Sequence, residues 1–158
     1  MADMKVTAEP GSQQIVITRS FDAPRDLVFK AFTDPEAVAQ WWGLRDTETV
    51  VDELEARPGG RWRFVERSGD GSEDAFHGVY HDAVAPERIV YTFEYEGMPG
   101  HVLLETIIFE EGEDGRTEMT DTSVFQSVAD RDGMLQSGME TGAGEAMDRL
   151  DEYLAKAR

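Results

Sequence analysis

Trp41-Trp42-Gly43, followed by Arg57-Pro58-Gly59-Gly60-Arg61-Trp62-Arg63-Phe64, is the stretch that decides the fold. Two adjacent tryptophans are costly to leave in water, because each carries roughly 150–250 Å² of surface that folding can bury. Trp62 then opens an alternating run. If Trp62 faces inward, so do Phe64 and Glu66, since successive strand side chains point to opposite faces. Helix-terminal tryptophans beside an aromatic strand predict an aromatic-walled interior between helices and a curved sheet.

Upstream, Gln14–Ser20 reads as a strand. Asp22-Ala23-Pro24 starts a helix whose apolar face is Leu27, Val28, Ala31 and Phe32. Asp34-Pro35-Glu36 repeats the start signal, with Asp34 as N-cap and Gly43 as the stop. Downstream the period becomes two. Strands are predicted over 47–54, 60–67, 75–84, 88–95, 102–110 and 117–125, separated by Gly-, Pro- and Asp-rich turns. Within the third of these, Gly78 leaves a gap that the Trp41-Trp42 pair is expected to fill. From Asp130 or Asp132 to Ala157, Leu135, Met139, Ala143, Met147, Leu150 and Leu154 share one helical face. A single long helix is expected there, although Gly138, Gly142 and Gly144 call for a bend or a close approach to the sheet. Residues 1–12 read as a flexible tail and 13–158 as one domain. The fold class is α+β, with six or seven antiparallel strands, two short helices after the first, and a long C-terminal helix.

Composition narrows the function. The chain has 158 residues, no Cys and a net charge of -18, with 33 acidic against 15 basic residues. Disulfides and thiolate chemistry are excluded. Such a surface repels phosphate backbones and anionic lipid, so neither nucleic-acid binding nor membrane insertion is expected. The acidic shell serves solubility or adaptation to high salt; a melting temperature rising steeply with KCl marks the latter. No apolar run or leader-like N-terminus stands out, so a cytoplasmic protein is expected. His77 and His81 share a strand face but lie roughly 13 Å apart, too far for one ion, and His101 sits by a turn. No metal or cofactor is expected.

Several pieces occur together and in order: Phe21-Asp22-Ala23-Pro24-Arg25, Thr33-Asp34-Pro35, Trp41-Trp42-Gly43, Arg57-Pro58-Gly59-Gly60-Arg61-Trp62, Pro86-Glu87-Arg88-Ile89 and Asp148-Arg149-Leu150. With this order of elements, residues 14 to 155 resemble the homologues of the heat-shock-protein-90 ATPase activator, in the START-like (SRPBCC, birch-pollen-allergen-like) superfamily. The resemblance implies a helix-grip fold: a curved sheet gripping the long helix, with a cavity that takes a small hydrophobic or amphipathic molecule. The chain departs from the family where members often carry Gly-Trp in the last helix; here Gly142-Ala143 stands, which enlarges the cavity or opens its mouth unless Met139 and Met147 fill the space.

The expected sheet wall of that cavity is Trp41, Trp42, Trp62, Phe64, Tyr80, Tyr91, Phe93 and Met119. Met139, Ala143 and Met147 form the helical wall. Aromatic and Met side chains at these spacings also build plain cores. Glu66, Glu105 and Asp121 are polar exceptions on apolar strand faces. Buried, each needs a partner or a raised pKa and becomes a candidate acid or base. At strand ends or the cavity rim, they are simply solvated. Arg61 or Arg63 is a candidate partner. The first reading is a non-enzymatic binding domain. The alternatives are a cyclase- or dehydratase-like enzyme using those carboxylates, and a stress-related protein that binds a heat-shock chaperone. The chain is expected to be a monomer or a homodimer.

Overall fold

The computed structural model describes residues 4–157; the rest of the expected tail, residues 1–3, and residue 158 lie outside the described residues. Eight antiparallel strands form one sheet: β1 (Lys5–Thr7), β2 (Gln14–Phe21), β3 (Glu48–Leu54), β4 (Arg61–Arg67), β5 (Glu73–Val84), β6 (Arg88–Tyr95), β7 (Val102–Glu111) and β8 (Thr117–Val124). Their order is β1-β2-β8-β7-β6-β5-β4-β3. The helices are α1 (Arg25–Thr33), α2 (Pro35–Trp41), α3 (Val128–Gln136) and α4 (Met139–Ala157). This is the helix-grip fold, with eight strands rather than six or seven. The additional strand is β1, in the stretch read as tail. It pairs Lys5–Thr7 with Thr18–Val16 through a turn at Gly11. Three residues are too short to carry a periodicity, so β1 leaves no sequence signal.

Strand alternation holds in β2 and β4, whereas in β5 a bulge between Tyr80 and Asp82 breaks it and turns Ala83 to the core in place of Asp82. Ile15, Ile17, Arg19 and Phe21 of β2 are buried, as are Trp62, Phe64 and Glu66 of β4. Gly78 pairs with Trp62 across the ladder. A Cβ at Gly78 would lie 1.7 Å from the Thr92 carbonyl and 2.6 Å from Trp62 Nε1. The gap therefore holds Trp62, not the Trp41-Trp42 pair: a side chain directly opposite in register outcompetes one arriving from a helix.

Asp34 caps α2, accepting from the Glu36 N–H at 3.2 Å, and Pro35 takes the first helical position. The C-terminal helix is two helices, not one. Ser127 caps α3, and Gly138 at φ +87° separates α3 from α4. Leu135 and Met139 keep a four-residue spacing across the break and both touch the core, which is why the periodicity conceals it. α4 spans roughly 28 Å and sets Leu150 and Leu154, both fully buried, against the sheet. Arg19 reaches up from β2 to Asp148 at 3.3 Å and Asp151 at 3.2 Å, tying helix to sheet.

Candidate functional site

Between α4 and the concave face of the sheet lies a cavity of about 450 Å³, within the size range of small-molecule sites. Its sheet wall includes Ile15, Ile17, Phe76, Tyr91 and Phe93, and the end of α2 adds Trp41 and Trp42. The helical wall is Met139, Gly142, Ala143, Ala146 and Met147. These are small or flexible side chains, so α4 leaves the space that bulkier residues would close. Leu44 and Asp74 are exposed and mark the mouth. The Leu44 side chain lies over Gly142, whose added Cβ would meet it at 3.7 Å.

The floor is polar. Register places Tyr91 of β6 opposite Glu105 of β7, and Asp121 of β8 opposite Ile107, two residues along the same face. Diagonal neighbours of this kind are close enough to interact. The Tyr91 hydroxyl and the Asp121 carboxyl both lie within hydrogen-bonding reach of Glu105. Both residues are half-buried and line the cavity. Burial pushes the Glu105 pKa up, opposed by the hydrogen bonds from Asp121 and Tyr91. Burial, then the neighbouring Glu105 charge, pushes Asp121 well above the usual carboxylate range. The pair therefore holds a proton that free carboxyls would have lost, and it titrates as a unit. Asp121 Oδ1 has no hydrogen-bond partner among the described residues. Among the described residues, no Arg, Lys or His lines the cavity.

Glu66 stands at the mouth side. Its Oε2 accepts from Thr49 Oγ1 at 2.7 Å, and its Oε1 packs against Gly43, closing no hydrogen bond. Burial raises its pKa, with Thr49 first among the groups that oppose the rise. Gly43 sits at φ +87°, and a Cβ there would fall 1.3 Å from Glu66 Oε1. Both conformation and contact require glycine. Arg149 of α4 donates to the carbonyls of Gln40 (2.9 Å), Trp42 (3.2 Å), Gly43 (3.2 Å) and Leu44 (2.9 Å). It brings a cation to the carbonyls at and just past the end of α2, the charge that a helix C-terminus favours; Trp42 and Leu44 also accept from Thr49 and Thr47.

The structure divides the expected ligand wall. Trp41, Trp42, Tyr91, Phe93, Met139, Ala143 and Met147 do line the cavity. Trp62, Phe64 and Tyr80 instead pack with Val38 in a second cluster, around a gap of about 90 Å³. Met119 is 2% exposed and belongs to the main core: it shares a face of β8 with Asp121 and Ser123 but sits further along the strand, opposite Phe109, outside the cavity. Glu105 and Asp121 lie within the protein, not in water at strand ends. Arg61 and Arg63 do not reach the three carboxylates. They point to the outer face, Arg61 to Glu53 at 3.5 Å and Arg63 to Glu96 at 2.8 Å, where it pulls the Glu96 carboxyl down to about 2. Among the described residues, no group of acidic or histidine side chains could hold a metal. The sequence reading missed the roles of Arg149 and Arg19. Arg19 was legible: it occupies the inward phase of β2 between Ile17 and Phe21.

The family model for Activator of Hsp90 ATPase homolog 1-like protein matches residues 22–155. The chain belongs to this family. Three solved structures share the whole architecture. One from Rhodobacter sphaeroides is 26% identical at a TM-score of 0.89, covering 98% of this chain and 99% of that one. One from Arthrobacter aurescens is 25% identical at 0.87, covering 96% and 91%. One from Staphylococcus epidermidis is 28% identical at 0.81, covering 96% and 95%. With these relatives the chain takes its place in the START-like superfamily. No curated protein matches it. No helix among the described residues is long and apolar enough to cross a membrane.

Proposed function

We propose that this domain binds a small hydrophobic or amphipathic molecule between α4 and the sheet and returns it unchanged. One observation carries the reading: a 450 Å³ cavity with an apolar wall and one polar floor at Tyr91, Glu105 and Asp121. An apolar wall supplies affinity without direction, and a few convergent polar groups orient what enters. A cytoplasmic setting belongs to the same proposal.

The Glu105–Asp121 pair favours a second reading, an acid–base enzyme of the cyclase or dehydratase kind, since a carboxyl whose pKa burial has raised keeps its proton to higher pH and can donate it to a substrate. Native mass spectrometry separates the readings. The protein is exposed to cell extract, weighed intact, and any released compound is identified and added back. A stoichiometric compound, recovered unchanged and lost from an Ala146→Phe variant, supports the binding domain. Conversion that stops in Glu105→Gln establishes the enzyme instead. A bare protein mass after exposure to extract and to a lipid panel overturns both, and turns attention to a chaperone partner.

A further inference from the structure

We propose that the ligand is a small amphipathic primary amine, its apolar body against Trp42, Phe93 and Met147 and its ammonium on Glu105 and Asp121. This rests on the cavity reading and adds the charge of the occupant.

The cavity is built almost wholly of acceptors. Glu66, Asp74, Glu105 and Asp121 line it, together with hydroxyls from Thr47, Ser68, Tyr91 and Ser123, and no basic side chain does. A ligand carboxylate or phosphate would meet carboxyls with no cation to receive it, inside a chain of net charge -18. Among the described residues, Glu66 Oε1, whose residue is only 8% exposed, closes no hydrogen bond, and Asp121 Oδ1 has no partner beyond the proton shared with Glu105. Buried polar atoms in native proteins are nearly always satisfied, so these orphans point to a donor that arrives from outside. A primary ammonium is a compact group with three donors and no acceptor. Aromatic faces at Tyr91 and Phe93 beside the floor add attraction for a cation.

The surroundings of the pair are otherwise uncharged. β2 presents Ile15 and Ile17, β6 presents Tyr91, β8 adds Ser123, and α4 presents Ala143, Ala146 and Met147. An arriving ammonium is thus the one positive charge that the pair would meet. It takes over the charge balance now kept by the shared proton, so amine uptake releases a proton to solvent while the amine keeps its own.

The test uses three probes of equal chain length, decylamine, 1-decanol and decanoate, titrated into the full-length protein at pH 7 in 0.3 M KCl. The salt suppresses attraction to the acidic surface. Decylamine is expected to bind about 10- to 100-fold tighter than decanol, as a charge-assisted hydrogen bond allows, and decanoate is expected not to saturate. Calorimetry in two buffers of different ionisation enthalpy should report net proton release for the amine alone. In Glu105→Gln/Asp121→Asn the amine's advantage over decanol should vanish, and a cooperative urea unfolding transition verifies that the variant is folded. Decanol binding as tightly as the amine, or an amine advantage that survives in the double variant, overturns the assignment and leaves the cavity reading standing. Failure of all three probes overturns both.

Discussion

Around Trp62 the interior leaves a gap of only about 90 Å³; beneath α4 it opens to about 450 Å³. Both regions draw on the same concave sheet face and both are rich in aromatics. In the first, Trp62 lies over Gly78, donates its indole N–H to the Thr92 carbonyl at 3.0 Å, and stacks with Phe64 and Phe93 at 4.8 and 5.6 Å. In the second, the sheet offers carboxyls and a tyrosine, and the facing helix offers Gly142, Ala143 and Ala146. The contrast teaches that the open space comes from what α4 withholds, not from any scarcity of large side chains on the strands.

The comparison breaks first at Trp62. Trp62→Ala should cost about 3–5 kcal/mol in urea unfolding, as large-to-small changes in packed cores do; a loss under 1 kcal/mol would mean that this region is as loose as the other. Arg149→Ala comes next. It takes one donor from each of four carbonyls, of which Trp42 keeps Thr49 and Leu44 keeps Thr47, and should cost about 1.5–3 kcal/mol, the range for hydrogen bonds to a charged group.

The third prediction concerns pH. The carboxyl pKa values of Glu105 and Asp121 are raised on folding, so the unfolded chain gives up these protons at lower pH than the native one does. The pair's contribution is therefore full below pH ~4 and is lost as pH rises through the folded values. Asp121→Asn should raise stability at pH 8 by about 1–2 kcal/mol and leave it unchanged near pH 4. An equal effect at both values would remove the buried-pair account. The smallest change in stability belongs to the open region. Ala146→Phe should shift the unfolding free energy by less than about 1 kcal/mol, because it enters existing space, yet it should abolish ligand retention. A large destabilisation would show that the space is already taken up by α4.

The elements of the fold were legible because the strongest signals, alternation from β2 to β8 and the Asp34-Pro35 helix start, are local. The break at Gly138 was not, since one left-handed residue leaves the four-residue apolar spacing intact. The site was legible by residue but not by partition. Trp62, Phe64 and Tyr80 share their residue type with Trp42 and Phe93, and only the Trp62–Gly78 register sends them to the packed side. Glu105 and Asp121 stood out as polar side chains on apolar faces. Their meeting depends on a diagonal across two strands, which no spacing along one strand reveals. Arg149 was visible within Asp148-Arg149-Leu150, but its four acceptors lie over 100 residues earlier in the chain.

Trp42 is the side chain that faces both regions. It packs edge-on to Phe64 at 5.1 Å and to Phe76 at 5.3 Å, and it also lines the open cavity. Trp41 and Trp62 are buried, at 2% and 3% exposure, with their indole N–H groups bound to backbone carbonyls. Of the three indole fluorophores in the chain, Trp41 also lines the cavity but is buried with its N–H bound, so Trp42 is the one whose surroundings change most when the cavity fills. Its emission gives the protein a built-in optical gauge of occupancy. A blue shift on loading, absent from Trp42→Phe, would follow binding without any attached dye.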